Sequence, residues 1–346
     1  MTDLTKQLIS LIYEGKTINE ISEKMGLTNK QLFNIISTIG NKGFEFNRKY
    51  YYNGDIIYKP KQSFFIAEKE GIDIITSPTE QKFEALVISD LHIGSIKERL
   101  DLLNEIYNYC TREGIHIIIN CGDVIDGMYG PYEKFHDNIN DQIDYAVKNF
   151  PFDKNILNFV TLGDHDYDAM KRYGQNFAKV LQSYRHDIVS LGYGIGQINI
   201  KNDNIFVRHP SDKFDELKLK QMNKFLSLDG HSHRMGLNTT NSGTTVNIPA
   251  LSNMLYDSKQ MIPSAVKMTL EFKNGFINKG TFVHILFDKQ IYEINEMECY
   301  LGFGKNITGT TTINLEEQKP KKKVLVPEKT EPKSQIEKFN ARYGLK

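Results

Sequence analysis

Apolar residues recur at helical spacing in the first part of the chain. The stretch LTKQLISLIYEG brings Leu4, Leu8, Ile9 and Ile12 onto one helical face and stops at Gly15. A glycine directly after the last apolar position is a common helix C-terminus, because glycine adopts the left-handed conformation without steric cost. The pattern therefore predicts an amphipathic helix at the N-terminus.

Two shorter helices and a hairpin are predicted next. TINEISEKMG places Thr17 as an N-cap with Glu20 three positions later, and LTNKQLFNIISTIG repeats this arrangement with Thr28 as the cap. FEFNRKYYYNGDIIYKP then reads as two strands around Asn53 and Gly54, a dipeptide typical of a tight hairpin turn. Three helices followed by a hairpin form a self-contained pattern over residues 1–60.

This pattern resembles the winged helix-turn-helix DNA-binding domains. The resemblance implies nucleic-acid contacts from the helix that begins after Thr28 and from the hairpin, which would be the wing. The candidate contact residues are Asn29, Lys30, Gln31, Asn34, Arg48 and Lys49. The alternative is a small helical domain that packs on its neighbour or on another protein, since a net charge of +2 over residues 1–60 is a weak electrostatic footprint.

From about residue 83 the pattern changes to alternating strands and helices. The apolar runs FEALVISD, HIIINCGD, NILNFVTLGD and NIFVRHP each end in polar residues, and such runs are typical of strands buried on both faces. Helices are predicted between them at residues 96–113, 138–150 and 167–184. After LSLDGHSH, the segments TTVNIPAL, AVKMTLEF, FINKGTFVHILF and QIYEINEME predict a second sheet. The predicted fold class is α/β.

The chain divides into four segments on these patterns. They are a winged-helix-like domain (1–60), a linker (61–82), an α/β domain (83–315) and a basic tail (316–346). The tail contains EEQKPKKKVLVPEKTEPKS, and this Lys, Pro and Glu content predicts disorder. In the final SQIEKFNARYGLK, Ile336, Phe339 and Tyr343 recur at helical spacing, so the tail either docks a protein partner or is a solubilising segment.

Cysteine usage and the absence of long apolar runs indicate the compartment. Cys110, Cys121 and Cys299 are scattered, which argues against a disulfide framework and for a reducing environment. The chain begins MTDLTKQLISLIYEGKT, without a basic leader before an apolar stretch, and no apolar run approaches membrane length. We therefore expect a cytoplasmic protein without membrane association.

Charge is distributed unevenly, although the chain has 43 basic and 43 acidic residues. Residues 1–60 hold 8 Lys and Arg against 6 Asp and Glu, and residues 318–346 hold 9 against 3. Residues 61–317 consequently carry a net charge of −8. An acidic middle between basic ends predicts that a polyanion is bound through the ends or through bound metal ions.

Side chains that can bind metal follow the apolar runs. They are Asp90 and His92 in ISDLHIGS, Asp123 in NCGDVIDG, Asp164 and His165 in LGDHD, His209 in VRHP, and His231 and His233 in LDGHSHRMG. Residues two apart on an extended chain project to the same side, so Asp90 and His92 can reach one ion together, as can His231 and His233. Carboxylate and imidazole donors without thiolates suit manganese, iron, zinc or nickel better than magnesium or calcium.

These motifs, in this order, resemble the calcineurin-like metallophosphoesterases. The family pattern runs Asp-x-His, Gly-Asp-x-x-Asp, Gly-Asn-His-Asp/Glu, a lone His and Gly-His-x-His, and residues 90–233 hold a counterpart of each block. The resemblance implies a four-layer αββα sandwich and two divalent metal ions, with Mn²⁺ preferred and Fe, Ni or Zn as alternatives. The sequence leaves the oligomeric state open, although nucleases of the family often form homodimers. The implied ligands are Asp90, His92 and His233 for the first ion, Asp164, His209 and His231 for the second, and Asp123 as a bridge between them.

The resemblance implies catalytic roles for the two residues after Asp164. His165 would donate a proton or hydrogen bond to the leaving oxygen, and Asp166 would orient His165. Asp126 would support the site from behind the bridging ligand, or cap a helix, without binding metal. The family usually has Asn in place of Asp164. We expect the additional carboxylate to hold the metals more tightly and to make the bound water less acidic, which predicts an alkaline-shifted optimum.

Two further positions bear on the substrate. Serine/threonine phosphatases of the family carry Arg after the second Asp of the second block and Glu after the catalytic His, whereas this chain has Gly127 and Asp166 there. These differences favour a phosphodiesterase, and the winged-helix-like segment favours DNA as the partner. Three functions stay open: a metal-dependent nuclease or DNA-associated phosphodiesterase, a small-molecule or cyclic-nucleotide phosphodiesterase with a regulatory N-terminal domain, and a DNA-binding protein with a vestigial metal site.

Overall fold

The computed structural model describes most of the chain up to residue 299 and two short strands beyond it. The described ranges are 3–41, 46–60, 71–128, 133–136, 138–210, 225–240, 242–253, 255–256, 259–260, 262–288, 291–299, 311–314 and 322–325. Within them the helices are α1 (Asp3–Tyr13), α2 (Ile18–Met25), α3 (Asn29–Gly40), α4 (Leu100–Glu113), α5 (Ile139–Asn149), α6 (Asp164–Tyr173) and α7 (Phe177–Tyr184).

The described strands fall into two mixed sheets and one short pair. In chain order they are β1 (Phe46–Tyr51), β2 (Ile56–Pro60), β3 (Ile72–Ile75), β4 (Lys82–Ile88), β5 (Ile117–Asn120), β6 (Leu157–Leu162), β7 (Ile188–Tyr193), β8 (Ile195–Ile200), β9 (Asp203–Arg208), β10 (Phe225–Asp229), β11 (Gly236–Thr239), β12 (Gly243–Asn247), β13 (Leu255–Tyr256), β14 (Lys259–Gln260), β15 (Ser264–Lys273), β16 (Phe276–Asp288), β17 (Ile291–Cys299), β18 (Thr311–Asn314) and β19 (Lys322–Leu325). The first sheet has the order β19-β17-β16-β15-β4-β5-β6-β7, the second β18-β11-β12-β10-β9-β8-β3-β1-β2, and β13 pairs with β14.

The first sheet contains the parallel strands that position the site. Strands β4, β5, β6 and β7 are parallel neighbours, and the chain passes from each to the next through α4, α5, and α6 with α7. Parallel strands require such crossovers, and their carboxyl ends meet at one edge of the sheet. The predicted α/β class is confirmed, with two mixed sheets; the second helical layer of the αββα arrangement stays a prediction.

Strand β4 shows why a run that is apolar at every position forms a strand here. Val87 packs in one apolar cluster with Val207 of the second sheet, whereas Leu86 and Ile88 pack in another with Leu103 of α4. Successive side chains of a strand point to opposite faces, so an uninterrupted apolar run fits a strand that is covered on both sides. The sheets therefore pack face to face, and helices cover the outer face of the first.

The N-terminal helices and hairpin form as predicted. Thr17 and Thr28 cap α2 and α3: each hydroxyl accepts a hydrogen bond from the backbone N–H three residues on, and the side chains of Glu20 and Gln31 reach back to the cap. These reciprocal bonds satisfy N–H groups that a helix N-terminus otherwise leaves unpaired. Strands β1 and β2 pair in antiparallel fashion across the predicted turn.

The hairpin is joined to the body of the protein. Strand β1 pairs in parallel with β3, and β3 pairs with β8, so the hairpin extends the second sheet. Leu8 of α1 and Ile36 of α3 belong to the same apolar cluster as Val87 and Val207. A separate winged-helix domain is therefore not confirmed, because residues of the 1–60 segment share one core with both sheets.

Three predicted segments differ in detail. The helix expected over 167–184 starts earlier, at Asp164, and is split into α6 and α7 after Gly174, whose φ of 69° ends α6 in the left-handed conformation. The predicted linker contains β3, and its residues 61–70 lie outside the described residues. Strand β19 lies in the predicted disordered tail; the remaining tail, including the predicted partner-docking positions 336, 339 and 343, lies outside the described residues. Among the described helices, none is both long and apolar enough to cross a membrane.

Candidate metal centre

The candidate ligands lie just beyond the carboxyl ends of five strands. Asp90 and His92 follow β4, Asp123 follows β5, Asp164 follows β6, His209 follows β9, and His231 and His233 follow β10. The first three strands belong to the first sheet and the last two to the second. The site is therefore built at the shared edge of the sandwich, from both sheets.

The first group of donors contains Asp90, His92 and His233. One donor atom from each lies within 4.8 Å of the others. Asp90 Oδ1 is 3.2 Å from His233 Nε2, and Asp90 Oδ2 accepts a hydrogen bond of 3.2 Å from the backbone N–H of His231. Asp90 and His92 are completely buried, so they are held in position by packing on every side.

The second group contains Asp123, Asp164, His209 and His231. Their donor atoms also lie within 4.8 Å of one another. His209 Nε2 is 3.1 Å from Asp123 Oδ2 and 3.1 Å from Asp164 Oδ1, and it is 3.2 Å from His231 Nδ1. Four donor atoms this close together, carried by residues that follow four different strands, form a ready coordination shell.

Asp123 lies between the two groups. Its Oδ2 is 3.1 Å from His209 Nε2 of the second group and 3.8 Å from His92 Nε2 of the first. Its Oδ1 accepts a hydrogen bond of 3.1 Å from the backbone N–H of His165. The Asp123 carboxylate is thus placed where a group shared by two cations would be.

The backbone at the site adopts an unfavourable conformation. Five of the candidate ligands have positive φ: Asp90 (54°), His92 (46°), Asp123 (52°), His231 (67°) and His233 (57°). Residues with a side chain rarely occupy this region, and each such position costs about 1–3 kcal/mol. The strain is retained because it turns the side chains inward from the strand ends, and such positions cluster at functional sites.

Glycines allow the ligand loops to approach one another. A Cβ on Gly163 would lie 2.2 Å from Asp123 Oδ1, and a Cβ on Gly122 would lie 2.3 Å from His209 Nδ1. A Cβ on Gly230 would lie 2.2 Å from Ser89 Oγ. Gly163 and Gly122 therefore leave room for the candidate ligands Asp123 and His209, and Gly230 leaves room for Ser89, so replacing any of them would displace a neighbouring loop.

Hydrogen bonds from the far side of the rings fix two of the imidazoles. His209 Nδ1 is 2.8 Å from the carbonyl oxygen of Cys121, and His92 Nδ1 is 3.0 Å from Asp126 Oδ1. A carbonyl or carboxylate oxygen accepts, so in each ring Nδ1 carries the proton and Nε2 is available as a donor atom for a cation.

Asp126 lies behind His92, and its carboxylate also forms a possible donor group with His92 and His165, so its supporting role stays a prediction. Besides His92 it contacts Lys134, whose Nζ lies 2.7 Å from Asp126 Oδ2. Lys134 was not identified as a site residue from the sequence, because it belongs to no motif and lies eight positions after Asp126. Only the folded chain shows that its ammonium group compensates the charge behind His92.

Asp166 does not orient His165, and this prediction is wrong. The Asp166 carboxylate accepts hydrogen bonds from the backbone N–H groups of Val124 (3.1 Å), Ile125 (2.9 Å) and Gly163 (2.9 Å). It therefore ties the loop after Asp123 to the start of α6. The ring of His165 is oriented by the backbone carbonyl of Asp126, which lies 2.7 Å from Nδ1.

Another buried ion pair connects the loops of the second sheet. Arg208 Nε donates hydrogen bonds to Asp229 Oδ1 (3.0 Å) and Ser227 Oγ (3.1 Å). Arg208 precedes His209, and Asp229 lies two residues before His231, so the pair fixes the ends of β9 and β10 relative to each other. The pair therefore helps to position the candidate ligands His209 and His231.

The charges of the site perturb one another. Burial alone would raise the pKa of Asp90 and Asp123, but the neighbouring imidazoles outweigh it and hold both values below their usual range. Burial alone would lower the pKa of His209 and His233, but Asp123 and Asp90 respectively raise it. A cation bound at the centre would take over the role of these imidazole protons.

The donor set fits divalent cations. His92 Nε2 is buried and has no hydrogen-bond partner in the described part of the chain, although it points toward the Asp123 carboxylate. A buried polar atom of this kind requires an explanation, and an ion is one. Imidazole and carboxylate donors without a thiolate suit Mn²⁺, Fe²⁺, Zn²⁺ or Ni²⁺. The residues present therefore fit a pair of such ions.

The predicted nucleic-acid contacts lie on α3 and β1, elements that carry none of the candidate metal ligands. Those with exposed side chains are Lys30, Gln31, Asn34 and Lys49. Asn29 is buried, and its amide donates a hydrogen bond of 2.9 Å to Asn19 Oδ1, so it joins α2 to α3. Arg48 is half-buried, with its guanidinium 5.7 Å from the centre of the Tyr58 ring.

Comparison with known families supports the assignment of this domain. Residues 83–250 match the family model described as calcineurin-like phosphoesterase, and this range contains all of the candidate ligands. The match supports a calcineurin-like phosphoesterase domain, which is a metal-dependent hydrolase family. No curated protein sequence gave a match.

Several solved structures are similar at low identity. Vacuolar protein sorting 29 from Cryptosporidium parvum is 13% identical, over 64% of this chain and 100% of that chain, with a TM-score of 0.39. YfcE, a phosphoesterase from E. coli, is 13% identical, over 67% and 99%, with a TM-score of 0.38. The nuclease MPE of Pseudomonas putida is 14% identical, over 56% and 85%, with a TM-score of 0.32. At these TM-scores the similarity carries no functional argument.

Proposed function

We propose that the calcineurin-like phosphoesterase domain is a dimetal-dependent phosphodiesterase that cleaves nucleic acid, acting as a nuclease or a DNA-associated phosphodiesterase. The observation that carries this proposal is the convergence of seven donors into two groups, with Asp123 in the second group and 3.8 Å from His92 Nε2 of the first. Two ions that share a ligand form a clamp suited to in-line displacement at phosphorus.

The residues that would hold the ions follow from the two groups. Asp90, His92 and His233 would bind one ion, Asp164, His209 and His231 the other, and Asp123 both. Bound ions of this kind neutralise the charge of the phosphate oxygens and lower the pKa of water. We propose Mn²⁺ as the metal; Fe, Ni and Zn accept the same donors.

We propose that His165 assists the leaving group. Its Nδ1 donates to the Asp126 carbonyl oxygen at 2.7 Å, which fixes the ring, and we propose that Nε2 faces the substrate. Burial would lower the pKa of His165, but the Asp123 carboxylate and the Asp126 carbonyl outweigh it and raise the pKa above its usual value. A protonated ring at this position can donate a proton to the leaving oxygen, a role worth about 10²–10⁴ in rate.

Support for nucleic acid comes from two positions that differ from the protein phosphatases and from exposed residues on α3 and β1. Gly127 and Asp166 stand where protein phosphatases of the family carry Arg and Glu. Lys30, Asn34 and Lys49 are exposed on α3 and β1, where they are free to approach phosphates.

Cys110 and Cys121 are buried free thiols, which supports a reducing compartment and hence a cytoplasmic setting.

The test of the activity uses the full-length protein loaded with Mn²⁺. Labelled single- and double-stranded DNA is compared with cyclic nucleotides and with bis(p-nitrophenyl) phosphate. We expect DNA cleavage that a chelator abolishes, and a loss of about 10²–10⁴ in kcat for His165→Ala with an unchanged metal content. His116→Ala is the matched control, because His116 bonds the backbone of Asn155 away from the site. A protein that binds no divalent ion, or an unimpaired His165→Ala, would refute the proposal.

The contribution of the N-terminal segment needs surface substitutions. Deleting residues 1–60 would strip β1 from β3 and expose the common core, so the deletion cannot separate binding from folding. We expect Lys30→Glu with Lys49→Glu to weaken DNA binding by about tenfold or more and to leave hydrolysis of bis(p-nitrophenyl) phosphate unchanged. Lys148→Glu, an exposed position on α5, is the control. An equal loss of DNA binding in the Lys30→Glu, Lys49→Glu double variant and in Lys148→Glu would assign the DNA contact elsewhere.

A further inference from the structure

Helix α6 presents three chemically distinct residues along its solvent-facing side. Asp164, Tyr167 and Lys171 are spaced by three and four positions, so they follow one another along one side of the helix. Asp164 is a candidate metal ligand, Tyr167 is 42% exposed, and Lys171 is exposed. This side of α6 therefore runs from the metal centre past the Tyr167 ring to the ammonium group of Lys171.

The metal centre opens toward this side of α6. Asp90, His92 and His209 are buried, whereas the side chains of Asp164 and His231 are 33% and 44% exposed. Among the candidate ligands, Asp164 and His231 therefore have the most exposed side chains. Tyr167 lies one helical turn from Asp164, which places its ring beside the opening.

The ring of Tyr167 is held in place by a second tyrosine. It contacts Tyr193 edge-on, with ring centres 5.3 Å apart and an angle of 70° between the planes. Tyr193 is paired with Leu162 at the end of β7 and packs against the apolar cluster of the first sheet. A ring that is supported from its side keeps a face for a further aromatic group and loses little freedom when it binds one.

We infer that the Asp164, Tyr167 and Lys171 side of α6 is a binding track for single-stranded nucleic acid. The scissile phosphodiester lies at the metals, the neighbouring base stacks on Tyr167, and the next phosphate meets Lys171. This order matches the alternation of phosphate and base along a polynucleotide. Stacking on a side chain requires a base whose face is uncovered, which a single strand offers and a duplex does not. The inference rests on the proposed function and names its substrate class.

Binding is measured in the full-length protein carrying His165→Ala, with Mn²⁺ present. The probe is a fluorescein-labelled oligothymidylate, single-stranded or annealed to oligoadenylate, followed by fluorescence anisotropy. We expect tighter binding of the single strand, and a loss of about tenfold for Tyr167→Ala. Tyr173→Ala is the matched control, because Tyr173 is 47% exposed at the other end of the same helix, and we expect it to bind like the parent.

The contact between Lys171 and a phosphate is tested by the salt dependence of binding affinity. Removing one phosphate contact to a single strand lowers the slope of log affinity against log salt by about 0.7, so we expect this change for Lys171→Gln. Lys148→Gln on α5 should leave the slope unchanged. Equal losses in Tyr167→Ala and Tyr173→Ala, equal affinity for duplex and single strand, or an unchanged slope in Lys171→Gln would overturn the track.

Kinetics separate this inference from the proposed function. Thymidine 5′-(p-nitrophenyl phosphate) carries a base, and methyl p-nitrophenyl phosphate does not. In the active protein, Tyr167→Ala should raise KM for the first substrate by about tenfold and leave kcat/KM for the second unchanged. If the wild type hydrolyses neither substrate, the proposed function fails, and the anisotropy measurements still decide the track. A similar loss of kcat/KM on both substrates in Tyr167→Ala would overturn the binding track.

Discussion

His186 Nδ1 lies 2.6 Å from the hydroxyl oxygen of Tyr58, and both groups are buried. His186 Nε2 lies 2.8 Å from the hydroxyl oxygen of Ser37, and the ring of Phe33 packs on the imidazole at 4.7 Å. Tyr58 belongs to β2, Ser37 and Phe33 belong to α3, and His186 precedes β7. One imidazole therefore joins the N-terminal helices and hairpin to the sheet that carries the metal centre.

Tyr58→Phe should destabilise the protein without affecting the metal centre. The substitution leaves His186 Nδ1 buried without this partner, and an orphaned buried polar group costs about 1–3 kcal/mol. Urea unfolding followed by circular dichroism measures the free energy of unfolding. Tyr13→Phe, at a residue 68% exposed, serves as the control and should be neutral. Equal stability of the two variants would contradict the role of the bridge.

His186 should also make stability depend on pH. Burial, assisted by Arg48, lowers the pKa of His186 to about 3, whereas the ordinary value is 6.5. Between these values the unfolded chain binds a proton that the folded chain does not, so stability decreases as the pH falls through this window. The contribution is at most about 1.4 kcal/mol per pH unit. In His186→Gln the free energy of unfolding should fall less steeply from pH 6.5 to pH 4; parallel curves would refute this.

Gly163→Ala should impair metal binding through the bridging ligand. The added methyl group would lie 2.2 Å from Asp123 Oδ1 and 2.7 Å from the Asp123 backbone nitrogen, so Asp123 must move. We expect metal affinity to fall by at least about tenfold, measured by calorimetric titration with Mn²⁺. Gly40→Ala is the control, because nothing lies within 4 Å of a Cβ at that position. Unchanged affinity in Gly163→Ala would show that Asp123 is not a ligand.

Asp126→Ala should weaken metal binding although Asp126 is not in the donor groups assigned to the two ions. It removes the acceptor that holds His92 Nδ1 and leaves Lys134 without this carboxylate. Loss of such a supporting group typically costs about 10–100-fold in metal affinity. Asp126→Asn keeps an acceptor oxygen and should lose less. Calorimetric titration of both variants with Mn²⁺ checks whether Asp126→Asn binds metal more tightly than Asp126→Ala. An equal loss of metal affinity in the two variants would show that Asp126 does not orient His92.

Asp164→Asn tests the additional carboxylate. The amide retains an oxygen donor but removes one negative charge from a site that otherwise holds three carboxylates, Asp90, Asp123 and Asp164. We expect metal affinity to fall for Asp164→Asn and to fall further for Asp164→Ala, which has no donor. Competition with a chelator measures both constants. Affinity equal to that of the wild type in Asp164→Asn would mean that charge is not what this position supplies.

The sequence was informative about the candidate metal donors because each follows an apolar run. Such runs form buried strands, and the carboxyl ends of parallel strands meet at one edge. Asp90, Asp123 and Asp164 could be proposed as neighbours on that basis. The contact between Asp126 and Lys134 could not, because neither spacing nor periodicity specifies how the loop after Asp123 folds.

The same limit of sequence patterns explains why the role predicted for Asp166 was wrong. Its position directly after His165 suggested a carboxylate behind an imidazole. In the structure these residues lie in the first turn of α6, where neighbouring side chains point in different directions, and the Asp166 carboxylate turns to the backbone of Val124 and Ile125. Adjacency in sequence is a poor guide to contact within a helix.

By itself, the sequence determined the local elements and the set of candidate metal donors. Helix caps at Thr17 and Thr28, the hairpin turn and the apolar strands follow from interactions between residues close in the chain. The tertiary structure alone decided that the hairpin joins the second sheet through β3, and that His186 is bound by Tyr58 and Ser37. The physical reason is that a buried polar group is satisfied by whichever partner the packing brings within hydrogen-bond distance, and packing depends on segments that are remote in sequence.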